Sequence, residues 1–221
     1  MQKLMEKESV LRTKLTASTD GSRTYSIVKT IEGATAGGKG IFVLLYPTRN
    51  LDNLHVEDST NVHILNHMQE LGLGGYVIVN LFSTVTQTKL STRGIALDTD
   101  NLNYIKDKVF KEVDESKDKV IIAWGNSHQT SKVVNQAKLE ILKMWTEMHK
   151  ERKLYQLTAN GLEKSNIGVH PLYMGIRFSN AQWSLTEYPL ASVMKELAEN
   201  GLKEDKTQET KVQETKTTKK K

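Results

Sequence analysis

Three short apolar runs limit how this chain can fold: Ile41–Tyr46 (IFVLLY), Tyr76–Phe82 (YVIVNLF) and Val120–Trp124 (VIIAW). Each is rich in β-branched or aromatic residues and none alternates, the pattern of strands covered on both faces. Helix-length patterns lie between them. Asp58 is placed to cap a helix reaching Leu71, with Val62, Leu65, Met68 and Leu71 on one face and Gly72, Gly74 and Gly75 as its stop. Asp100 is placed to cap a second, with Leu102, Ile105 and Val109 inward, joined by Phe110 or Val113. A third carries Val134, Ala137, Ile141, Trp145 and Met148 on a stripe. Strands alternating with helices predict an α/β fold, a three-layer sandwich with a mostly parallel central sheet.

Leu154–Thr158 reads as a fourth buried strand. Tyr25–Ile31 alternates and is expected to pair with Ile41–Tyr46 across a glycine-rich connection. Pro189 suits the first turn of a closing helix that ends at Asn200–Gly201. The organisation read from these patterns is an N-terminal extension over 1–20, a single α/β domain over 21–201 and a lysine-rich, disordered tail over 202–221. That tail carries seven lysines against four acids, a net +3, so the other 201 residues supply only +2 of the overall +5. The basic balance therefore does not by itself mark a groove for nucleic acid. The absence of cysteine excludes a disulfide scaffold, a thiolate nucleophile and a sulfur-bound zinc. No apolar run approaches the roughly 18–20 residues that cross a bilayer, and no basic-then-apolar leader opens the chain. The expectation is a soluble, cytoplasmic monomer with no membrane contact.

Several motifs fail on mechanism. Gly33 to Lys39 spells the first seven positions of a phosphate-binding loop, but a strand follows instead of a helix, and Gly40 replaces the magnesium-binding hydroxyl. His63 and His67 share a helical face, yet no third ligand suggests itself by spacing. No metal and no cofactor is expected. Ligands of open parallel sheets bind beyond the carboxyl ends of the strands. That rule selects Tyr46-Pro47-Thr48-Arg49-Asn50, Asn80-Leu81-Phe82, Trp124-Gly125 and His170-Pro171-Leu172-Tyr173 as one converging rim.

This series resembles an uncharacterised bacterial and phage domain family whose members usually read Asn-Pro-Ser, Asn-Leu-Phe, Trp-Gly and His-Pro-Leu-Tyr at these places. The likeness covers roughly residues 20–178. The order of motifs is also distantly similar to the uracil-DNA glycosylase superfamily. That second resemblance implies a glycosylase-like fold and an enzyme that flips uracil from single- or double-stranded DNA and slowly hydrolyses its N-glycosidic bond. It implies that Asn80 reads the base, with Phe82, Pro47 and Thr48 shaping the pocket, and that His170 stabilises the departing base. Leu172 or Tyr173 would wedge into the gap left by the base, and Arg49, Trp124 and Gly125 would contact the strand. Tyr46 stands where the superfamily usually carries Asp or Asn to position water, and a phenol is a poor base at neutral pH. Glu57 and Asp58 are the acids that could substitute for it. Two other readings of the residues are a non-catalytic nucleic-acid-binding protein that keeps the pocket and an enzyme acting on free nucleotides.

Overall fold

The computed structural model of the chain describes residues 4–33, 37–48, 54, 56–86, 91 and 94–200. The three apolar runs form β3 (Lys39–Leu44), β4 (Gly75–Asn80) and β5 (Lys119–Ile122), and the fourth expected strand forms β6 (Tyr155–Ala159). These four run parallel, in the order β4-β3-β5-β6. Three further strands flank them: β1 (Leu11–Ala17), β2 (Thr24–Ile31) and β7 (Trp183–Glu187), each joined by antiparallel pairing.

The result is an α/β fold on a seven-stranded mixed sheet, β1-β2-β4-β3-β5-β6-β7, which corrects the expected mostly parallel one. The outer strands hid because their patterns are weak. In β1, Arg12, Thr13, Lys14 and Thr16 separate the apolar positions, leaving a half-exposed edge inside the segment read as an extension. In β7 only Trp183 is buried.

A second correction concerns β2, which does not form a hairpin with β3. It lies antiparallel to β4, with Ile27 opposite Ile78 and Val28 opposite Val77. The burial patterns explain the arrangement. All six residues of β4 are buried, which requires a neighbour along each side, whereas alternating β2 tolerates a place nearer the edge.

Alternation divides the strand side chains between two cores. Ile41, Val43, Val77, Val79, Val120 and Ile122 face α2 (Thr99–Lys108), a 3-10 turn at Phe110–Glu112, α3 (Lys132–Met148) and the helical residues 190–200, called α5 here. Phe42, Leu44, Tyr76, Ile78 and Ile121 face α1 (Ser59–His67) and α4 (Pro171–Arg177). Helices therefore cover both faces. Burying a Leu- or Ile-sized side chain contributes about 1.5–3 kcal/mol, so the two cores dominate the fold's stability.

Helix starts follow capping chemistry more closely than stripe counting. Asp58 caps α1 as expected, accepting from the backbone N–H of Asn61 at 2.8 Å. Of the predicted inward face, Met68 and Leu71 are buried and Leu65 packs against the same core, whereas Val62 is 38% exposed and Ile64 is buried in its stead. The cap of α2 is Asp98 instead of Asp100. The α3 stripe of Val134, Ala137, Ile141 and Trp145 is buried as expected. Among the described residues no helix is long and apolar enough to cross a membrane.

Candidate functional site

Beyond the carboxyl ends of β3, β4 and β5 lies a cavity of about 680 Å³. It opens where strand order reverses, because β3 connects outward to β4 on one side while β5 occupies the other. The cavity brings together Tyr46, Pro47, Thr48, Asn80, Trp124, Gly125, His170, Leu172 and Tyr173 from the rim expected on sequence grounds. Phe82 is absent from it: only 2% exposed, it packs in the α2–α3 core. Arg49 lies outside the described residues.

The alternation of β4 puts Tyr76, Ile78 and Asn80 on the α1–α4 side of the sheet. Asn80 thus projects from a buried strand end, 2% exposed, and among the described residues its side-chain oxygen has no hydrogen-bond partner. A buried amide without a partner is costly unless a ligand or water satisfies it. Its backbone is held firmly, since Asn101 Nδ2 donates to the carbonyls of Asn80 at 2.7 Å and Leu81 at 3.2 Å. Asp98 fixes the next step by accepting from Ser83 N–H at 2.9 Å and its hydroxyl at 2.7 Å. This bend directs Phe82 into the opposite core.

His170 caps the N-terminus of α4, and Pro171 occupies the first helical position. Its Nδ1 accepts from the backbone N–H of Leu172 at 3.2 Å, so in the neutral ring the proton sits on Nε2. Among the described residues that Nε2–H has no protein acceptor. Burial pushes the His170 pKa down to about 4, opposed only in part by the nearby charge of Asp58. At neutral pH the ring is therefore an uncharged donor on the cavity wall.

Gly125 sets the position of that ring. It has a φ of +71°, its N–H donates to the Gly168 carbonyl at 2.8 Å, and a Cβ there would stand 3.2 Å from His170 Cβ. Glycine lets the loop after β5 lie against His170 without the strain a side chain would bring at this φ.

Sequence reading gave Asp58 no preference over Glu57; the structure separates them. Asp58 lines the cavity, its Oδ2 accepting from the Thr48 hydroxyl at 2.8 Å and its Oδ1 from Asn61. Glu57 instead pairs at 2.5 Å with Lys29, whose side chain is wholly buried on β2. The cap motif was legible in the sequence, but its second use as a cavity wall depends on where α1 docks. Ile27, Asn61 and Val169 also line the cavity and carried no sequence signal of doing so.

The mouth is apolar. Leu172 is 37% exposed, Tyr173 44% and Ile176 67%, three large side chains on one face of α4. The two helical histidines have packing roles. His63 lies so close to Gly175 that a Cβ there would collide with its ring, and His67 stacks on Trp183 and pairs with Glu70.

Residues 25–172, about two thirds of the chain, match the model of the family described as "Protein of unknown function (DUF1643)". No curated protein and no solved structure matches the chain.

Proposed function

We propose that this chain, which belongs to the DUF1643 family, receives an extrahelical uracil in the cavity beyond β3–β5 and hydrolyses its N-glycosidic bond, in the manner of a uracil-DNA glycosylase. The carrying observation is the pairing, in one cavity, of a buried Asn80 carboxamide, whose Oδ1 has no partner among the described residues, with a neutral His170 donor. A carboxamide offers one acceptor and one donor edge, the complement of uracil N3–H and O4. Apolar Ile27, Leu44 and Ile78 line the cavity beside it and suit the faces of a flat ring.

The chemistry follows from these placements. The C1′–N bond breaks with its electron pair leaving on the base, and negative charge grows at O2. His170 Nε2–H donates there, an interaction that a buried site makes strong. Water oxygen then bonds to C1′ and loses a proton to the Asp58 carboxylate, which passes it to solvent. Asp58, held by Thr48 and Asn61, takes the water-orienting place that Tyr46 cannot fill. Exposed Leu172 and Tyr173 at the mouth are suited to occupy the space a flipped base leaves in the stack.

The helices on both faces of the sheet and the β4-β3-β5-β6 order are compatible with a glycosylase-like sandwich. The second reading, binding without cleavage, draws on Tyr46 at the position where the superfamily usually carries Asp or Asn.

Single-turnover cleavage of a labelled oligonucleotide carrying one uracil, single- and double-stranded, tests the proposal. The expected result is uracil-dependent scission after alkali, reduced on the order of 10²–10³-fold in His170→Ala and also lost in Asn80→Ala. Asp58→Asn, which keeps the helix cap, is expected to lose cleavage while retaining binding. Scission that is unchanged in all three variants overturns the assignment.

A further inference from the structure

A second cavity, of about 410 Å³, adjoins the first, and the loop Trp124-Gly125-Asn126 is a wall of both. Lys138 lines it from α3. The residue is only 6% exposed, and among the described residues its ammonium has no hydrogen-bond or ion-pair partner. It sits 5.6 Å from the centroid of the Trp124 ring. Within the lining Lys138 is the one cation and Glu196, exposed on α5, the one carboxylate. A buried ammonium is costly without a close counter-charge, and burial lowers the Lys138 pKa to about 8, opposed only in part by the Glu196 charge at the rim. An anion entering this cavity would supply the missing partner. Gln129, Thr130, Asn135 and Ser165 add polar side chains around the space.

We propose that this second cavity holds a phosphate group of the ligand whose base occupies the first, with Lys138 as its charged contact. Naming the ligand rests on the base-pocket reading above, while the anion site is tested separately. The phosphate is either the monoester of a free nucleotide or a diester of a strand; both present the same anionic oxygens.

The first arm titrates inorganic phosphate at constant ionic strength into ¹³C-lysine-labelled protein, following the Lys138 Cε resonance identified by its loss in Lys138→Met. A saturable shift is expected, and Glu196→Gln, an exposed change, is expected to tighten it about two- to threefold by removing a like charge from the rim. The second arm compares deoxyuridine, deoxyuridine monophosphate and an oligonucleotide with one internal uracil. The phosphate is expected to add about tenfold in affinity, as a charge-assisted contact does, and Lys138→Met to reduce that gain to about twofold or less. The probe that loses more in Lys138→Met identifies the monoester or the diester as the source.

A Lys138 resonance indifferent to phosphate overturns the proposal even if deoxyuridine binds. A phosphate preference surviving in Lys138→Met does the same. A phosphate shift without any deoxyuridine binding supports the anion site and removes the base reading instead.

Discussion

Replacing His170 with glutamine should change how stability depends on pH, because the fold holds this imidazole neutral. The pKa falls from an ordinary 6.5 to about 4 through burial. Between those values the unfolded chain binds a proton at this residue and the native protein does not. Stability therefore falls as pH falls through that window, while above pH 6.5 the residue is neutral in both states and contributes no slope. The gap between the two pKa values corresponds to about 3 kcal/mol, reached near pH 4. His170→Gln removes the titration and also the Nδ1 acceptor for Leu172, and the latter is a constant offset with no pH dependence. The assay is urea denaturation of both proteins at half-unit steps from pH 4 to 7.5. The wild-type curve is expected to lose about 3 kcal/mol relative to the variant between pH 6.5 and 4. Every other residue is common to the two proteins, so the difference between the curves isolates position 170. Parallel curves would refute the half-buried, neutral ring and, with it, His170 as an uncharged donor.

Two further outcomes follow from the packing around the site. Gly125→Ala places a Cβ against His170 at a φ of +71°, so it should cost about 1–3 kcal/mol in thermal unfolding and lower uracil cleavage more than its stability loss explains. Glu57→Gln removes the counter-charge of the buried Lys29 ammonium and leaves it neutral acceptors such as Thr13 Oγ1, at 2.8 Å, so it should cost about 3–5 kcal/mol in urea unfolding, most of it recovered by adding Lys29→Met.

The parallel centre of the sheet was legible because Ile41–Tyr46, Tyr76–Phe82 and Val120–Trp124 are buried on both faces, and such strands have continuous apolar sequences. The edges were not. β1 and β7 need only one apolar face and one pairing partner, so Leu11 and Leu15 among charged residues look like any surface segment. The partner of β2 was misread for a related reason: proximity in sequence suggested β3, whereas the fully buried composition of β4 demands a neighbour that only β2 supplies.

Much of the rim could be anticipated because strand ends converge by topology, so Tyr46, Asn80, Trp124 and His170 meet without any one of them predicting it. Phe82 shows the limit of that reasoning. The bend held by Asn101 and Asp98 turns it away two residues after Asn80, and neither of those residues belongs to the motif. Lys138 was invisible for another reason. A lysine in the middle of an amphipathic helix reads as solvent-facing unless the aromatic ring beside it and the cavity in front of it are known.

The central claim is that Asn80 reads a uracil edge in the cavity beyond β3–β5. The most direct measurement is equilibrium binding to single-stranded oligonucleotides that differ only in one uracil or cytosine, using Asp58→Asn so that the strand survives, beside the same protein carrying Asn80→Ala. The account predicts tighter binding to uracil by about 10- to 100-fold, the value of one or two satisfied polar contacts in a buried site, and its collapse in the Asn80 variant. Equal affinity for uracil and cytosine, or a uracil preference that outlives Asn80, would contradict it.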